Sequence, residues 1–155
     1  MSDVGHAVRL SVLVYGNNLD PDHLTSILGQ KPDRAMRRGV TTVTSSGLEV
    51  IHKRGHWGIQ SSLIEVNVDT KISKLLELPF AELLPRLDAL RTNAKMFGVK
   101  ISNCPDVEVA YADYYIYKNS ERIHVPCEFE CPLLQMIYFS ELGLPLRYSV
   151  SIGSA

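Results

Sequence analysis

Lys31, Arg34, Arg37 and Arg38 fall within eight residues, and His52, Lys53 and Arg54 follow after a stretch rich in serine, threonine and glycine. If that stretch folds back, the two basic runs meet. A patch of that kind suits a small anion or an acidic protein surface, because guanidinium groups bind carboxylates and phosphates through charge-assisted hydrogen bonds. A charge run in a loop serves solvation equally well. The candidate binding set Arg34, Arg37, Arg38, His52, Lys53 and Arg54 therefore depends on what stands opposite it in space.

A second candidate lies later in the chain. Val107 to Lys118 holds Tyr111, Tyr114, Tyr115 and Tyr117. In an extended segment Tyr111, Asp113 and Tyr115 share one face. Tyrosine offers large contact area at low entropy cost, so such a face suits a protein partner. It equally suits a solvated sheet surface. Glu121, Glu128 and Glu130 add acidic residues just downstream.

Metal and nucleophile chemistry have weaker support. Cys104, His124, Cys127 and Cys131 are types that zinc accepts, but the characteristic two-residue spacing between cysteines is missing. Buried thiols explain these cysteines as well. His52 and His56 are four apart in an extended context, where about 13 Å would separate them, too far to share one ion. No G-x-S-x-G elbow, phosphate-binding loop or dinucleotide fingerprint occurs. The expectation is no cofactor, no metal and no catalytic residue.

The totals narrow the class. The chain has 155 residues, enough for one domain (1–155), and a formal net charge of -1. A dedicated nucleic-acid binder is usually strongly basic, so nucleic acid is disfavoured. No apolar run is long enough to span a membrane. The N-terminal apolar stretch alternates and lacks a basic leader, so it predicts a strand rather than a signal peptide. Three cysteines do not make a disulfide framework. A cytoplasmic protein is expected.

The elements that must carry these residues follow from periodicity. Ala7–Tyr15 alternates, with Val8, Leu10, Val12 and Val14 on one side. Asp20-Pro21 opens a short helix with Leu24, Ile27 and Leu28 on its apolar stripe and Gly29 at its end. Gln30 to Gly39 reads as a loop. Val40–Ser45 and Leu48–Ser62 read as strands, with a turn at Ser45-Ser46-Gly47 and a bulge at Gly55. Thr70 to Gly98 is helical, and Pro85 predicts a kink or a fresh start. Val99–Cys104 and Val107–Lys118 read as strands. A last helix runs from Cys131-Pro132 to Gly143, and Leu144–Ile152 is a final strand. The fold class is α+β: a mainly antiparallel sheet with helices packed on one face. Each half runs strand–helix–strand, which leaves a duplicated ferredoxin-like arrangement open.

The segments LDPDHLTSILGQKPDRAMRRG and HKRGHWGIQSS, set between strands, resemble a family of small, mostly bacterial proteins known as a domain of unknown function. Leu19, Asp20, Pro21, Leu24, Thr25, Leu28, Gly29, Lys31, Pro32, Gly39 and Trp57 occupy its signature positions. The likeness is clearest over Val8 to Ser62, and ELGLPLRYSVSIG is similar as well. The tyrosine strand and HVPCEFEC depart from it. The resemblance implies no established activity. Some members look like neighbours of polymorphic toxin systems, which implies an immunity or partner-binding role. The leading expectation is a non-enzymatic cytosolic binding protein, an immunity-type partner of a bacterial toxin. The alternative is an anion-binding protein or enzyme whose site joins the basic loop to His and Cys residues.

Overall fold

In the computed structural model, residues 4–67, 72–119 and 133–153 are described. Strand β1 (Val4–Gly16) is the centre of a six-stranded sheet. Its inward residues Val8, Leu10, Val12 and Val14 are completely buried, as the alternation predicts. Along one edge β1 pairs antiparallel with β5 (Gly55–Gln60) and then β6 (Ile64–Asn67). Along the other it pairs antiparallel with β7 (Val109–Asn119), which pairs parallel with β8 (Leu146–Gly153). The short strand β2 (Arg34–Met36) forms the far edge, beside β5.

Three helices close over the same face. The first, α1 (Pro21–Leu28), begins as read from sequence: Asp20 accepts from the backbone N–H groups of Asp22 and His23. Gly29 ends it at φ 66°, a left-handed position that suits glycine. Helix α2 (Ile72–Phe97) runs through both Pro79 and Pro85 as one helix. Each internal proline costs about 3 kcal/mol. Leu75, Leu76, Phe80, Leu83, Leu87 and Leu90 are buried along it, at roughly 1.5–3 kcal/mol each, and that stripe outweighs the two prolines. Helix α3 (Leu133–Leu142) buries Gln135, Phe139 and Leu142, and Phe139 meets Phe80 and Tyr114 edge-on.

Several expectations change. Part of the expected loop Gln30–Gly39 is strand β2: backbone bonding to β5 decides its state, and a three-residue strand leaves too little alternation to read. The expected strand Val99–Cys104 is a 3-10 turn (Ile101–Asn103), with Ile101 buried as a plug. Leu48–Ser62 is two strands, because β4 (Glu49–Ile51) pairs with β3 (Thr41–Val43) in a separate hairpin. Gly55 is a point of close approach, not a bulge: it stands opposite Gly16 in register, and a Cβ there would lie 2.4 Å from the Leu19 carbonyl oxygen. A duplicated ferredoxin-like arrangement is not shown. β2 follows the direction of β1 with β5 between them, whereas β8 lies directly beside β7.

One hydrogen bond ties helix to sheet. The Trp57 indole is fully buried, and its Nε1–H donates to Thr25 Oγ1 at 3.0 Å. Thr25 in turn donates to the Pro21 carbonyl at 2.8 Å. Replacing Thr25 with Val keeps the shape and orphans the indole donor, at a cost of about 1–3 kcal/mol. Urea unfolding should show that loss for Thr25→Val and recover most of it in Thr25→Ser.

Candidate functional site

The hairpin does fold the basic runs together. Gly39 N–H donates to the His52 carbonyl and His52 N–H to the Val40 carbonyl. Convergence leaves few free cations, however. Arg37 bridges Asp20 (3.0 Å) and Asp22, at the start of α1. Both carboxylates raise its pKa, Asp22 first, so its charge serves the helix start. Arg54 pairs with Glu108 at 3.1 Å. Arg38 and Lys53 are exposed. Arg34 stands on β2 beside Gly58 and close to His56.

The two histidines correct the distance argument. The chain bends at Arg54 instead of running straight, and the ring centres of His52 and His56 lie 5.9 Å apart. His52 Nε2 lies 3.0 Å from Thr42 Oγ1. The pKa of His56 is lowered by burial, then by Arg34 and His52. A positive neighbourhood of that kind opposes a bound cation. Among the described residues no group of three or more His, Cys, Asp or Glu could hold a metal. Cys104 is buried, its thiol pKa raised by that burial. The rest of the candidate set, His124, Cys127 and Cys131, lies outside the described residues, as do Glu121, Glu128 and Glu130.

Arg86 was not foreseen. From α2 it donates to the Asp33 carboxylate (2.7 Å), the Lys31 carbonyl (2.8 Å) and Gln30 Oε1 (3.3 Å). Asp33 also accepts from Gln60 N–H at 2.8 Å. This clamp sets the path from α1 into β2. Its only trace in the sequence is an arginine after a proline in a leucine-rich helix.

The richest constellation is the face of the sheet that carries none of the described helices. Tyr111, Asp113 and Tyr115 lie on it together, as expected, with Tyr117, Arg9, Leu13 and Tyr15 beside them. Tyr114 points the other way, buried, and donates to Gln135 Oε1. A row of planar groups crosses four strands. The Arg147 guanidinium lies 4.6 Å from the Tyr111 ring centre, Tyr111 stacks on Tyr15 at 6.3 Å, and Tyr15 meets His56 at 6.0 Å. Arg9 covers Tyr115 at 5.5 Å. Asp113 accepts from Ser149 Oγ at 2.9 Å. The Tyr111 hydroxyl has a raised pKa, through burial first and then its neighbour Tyr15, and stays neutral at physiological pH.

These features define an α+β protein whose described helices lie on one side of the sheet, with an aromatic face rich in arginine on the other. Residues 6–102 match the family described as a domain of unknown function (DUF4279), and the chain belongs to that family. The match ends before β7, so the tyrosine strand and β8 lie beyond it. No curated protein and no solved structure matches the chain. Among the described residues no helix is long and apolar enough to cross a membrane.

His56 makes stability depend on pH. Its folded pKa lies below its ordinary 6.5, so the unfolded chain takes the proton first as pH falls. Stability contributed by neutral His56 is present above about pH 6.5 and is lost as pH drops through the lowered folded value. In His56→Gln that part of the slope disappears from urea midpoints. In Arg34→Gln the NMR titration midpoint of His56 moves upward.

Proposed function

We propose that this chain is a non-enzymatic binding protein whose contact surface is the helix-free face of the sheet. Its partner is an acidic protein surface, of the kind an immunity protein covers on a bacterial toxin, and the two meet in the cytoplasm. The observation that carries this is the row Arg147–Tyr111–Tyr15–His56 on the side of the sheet away from the described helices. Half-buried tyrosines held by their neighbours are already ordered, so binding them costs little further entropy. Arg9, Arg34 and Arg147 outnumber the two carboxylates of the same parity, Asp113 and Glu65.

The stacked arginines favour protein over nucleic acid. Guanidinium groups already lie over the rings of Tyr111 and Tyr115, where a base would have to displace them. A carboxylate approaches the guanidinium edge and leaves the stack intact. The reading of an anion site in the basic loop is weaker, because Arg37 and Arg54 are already paired with carboxylates.

Tyr111→Ala and Arg147→Glu should each weaken a purified complex with the partner by about 30-fold, the scale of an interface hot spot. Arg38→Ala should leave affinity within about threefold. If the partner is a toxin, co-expression of the native chain rescues growth and the Tyr111→Ala, Arg147→Glu double variant does not. Unchanged affinity in both single variants would sink the assignment of this face.

A further inference from the structure

The three arginines of the aromatic face are not equivalent. Arg147 stands opposite Asp113 in the β7–β8 register, and Arg9 is diagonal to Glu65 across the β1–β6 ladder. Arg34 stands opposite Gly58, which has no side chain. The stem of Arg34 lies along the sheet there, since a Cβ on Gly58 would be 3.7 Å from Arg34 Cγ. Its diagonal neighbours on β5 are His56 and Gln60, and neither carries negative charge. Asp33 alternates to the other side of the sheet, where Arg86 holds it.

His56 belongs to the same corner. Diagonal partners in a ladder lie about 7–8 Å apart, which puts His56 beside Arg34. The His52 ring approaches from the hairpin at 5.9 Å and the Tyr15 ring from β1 at 6.0 Å, with Tyr111 stacked behind Tyr15. The carboxylates along this part of the chain are already engaged: Asp20 and Asp22 by Arg37, Glu108 by Arg54. Among the described residues two basic groups therefore face His56 without a counter-charge. Burial, then Arg34 and His52, lower its pKa. Arg34 is exposed and His52, His56 and Tyr15 are half-buried, so a solute can reach them. The corner lies at the Tyr15 end of β1. Asn67, Asn119 and Gly153, which border segments outside the described residues, lie at the opposite end.

We propose that Arg34, His56 and His52 form a site for one carboxylate of the acidic partner. The site ends the row Arg147–Tyr111–Tyr15–His56 and rests on the reading of that face as the contact surface. Arg34 donates from its guanidinium, as arginine does to carboxylates. The bound anion offsets the positive field that keeps His56 neutral. His56 then takes a proton from water and becomes a second donor. Anion binding and proton uptake are reciprocal, so the carboxylate binds more tightly as pH falls through the range where His56 titrates.

The test follows the His56 imidazole of the full chain by NMR from about pH 5 to about pH 8. Millimolar hexaglutamate, sodium sulfate and sodium chloride are compared at equal ionic strength. Hexaglutamate should raise the His56 midpoint by about half a pH unit over chloride, which equals about threefold tighter binding at low pH than at high pH. The increment should vanish in Arg34→Gln, whose His56 starts from a higher midpoint, and persist in Arg38→Ala. Should Arg34→Gln fail to fold, His56→Gln decides: its affinity for hexaglutamate should no longer rise as pH falls. Equal midpoints in hexaglutamate and chloride, or an increment that survives Arg34→Gln, would overturn the site. A shift with sulfate and none with hexaglutamate would assign the corner to an inorganic anion and overturn it as well. A missing increment, in a chain whose partner affinity still depends on Tyr111 and Arg147, sinks the site and leaves the face standing. An intact increment, with affinity unchanged in the Tyr111 and Arg147 variants, sinks the face and leaves the anion site.

Discussion

Val8, Leu10, Val12 and Val14 are fully buried in a strand that pairs along both its edges, and that fixes the side-chain parity of its neighbours. A slip of one residue would put the whole row into water. Trp57 and Ile59 face inward because they stand opposite Val14 and Val12; Ala112, Tyr114 and Ile116 face inward because they stand opposite Val12, Leu10 and Val8. The odd-numbered residues are thereby sent to the other side. The aromatic face is a by-product of the same parity that builds the core, and no further element is needed to hold it.

Charge has a different task in this protein than its clustering suggests. Arg37 fastens the strand β2 region to the first turn of α1, Arg86 fastens the α1–β2 turn to α2, and Arg54 fastens the β5 entry to Glu108. These pairs are partly exposed and each contributes little energy. Their value is directional: together they steer an irregular stretch from Gln30 to Arg54 that has almost no core of its own. Arg9, Arg34 and Arg147, by contrast, stand on the aromatic face or at its margin.

Much of this was legible from residue order. The parity of β1, the capped helix from Asp20 to Gly29 and the shared face of Tyr111, Asp113 and Tyr115 all rest on local periodicity or cap chemistry. What escaped depends on partners far away in sequence. β2 is a strand only because β5 lies beside it. Val99–Cys104 has the composition of a strand but finds no ladder. His52 and His56 meet because the chain bends between them, which no spacing rule anticipates. Tyr15, Arg9 and Arg147 joined the candidate face only once register showed which residues stand opposite which. Arg86 clamps a loop more than fifty positions upstream.

The order of the strands also bears on how the chain comes to be folded. β1 is made first, yet Leu10 pairs with Tyr114 and Val12 with Ala112. Such pairings between distant parts of a chain form slowly, because a long loop must close before any contact is gained. The segment that matches the family ends before β7, so it supplies partners for only one of the two edges of β1. During synthesis, an apolar strand with one open edge therefore emerges long before its second neighbour exists. A family boundary drawn along the sequence thus cuts through the middle of the sheet. The newborn chain must keep that edge from strangers until its own later half arrives.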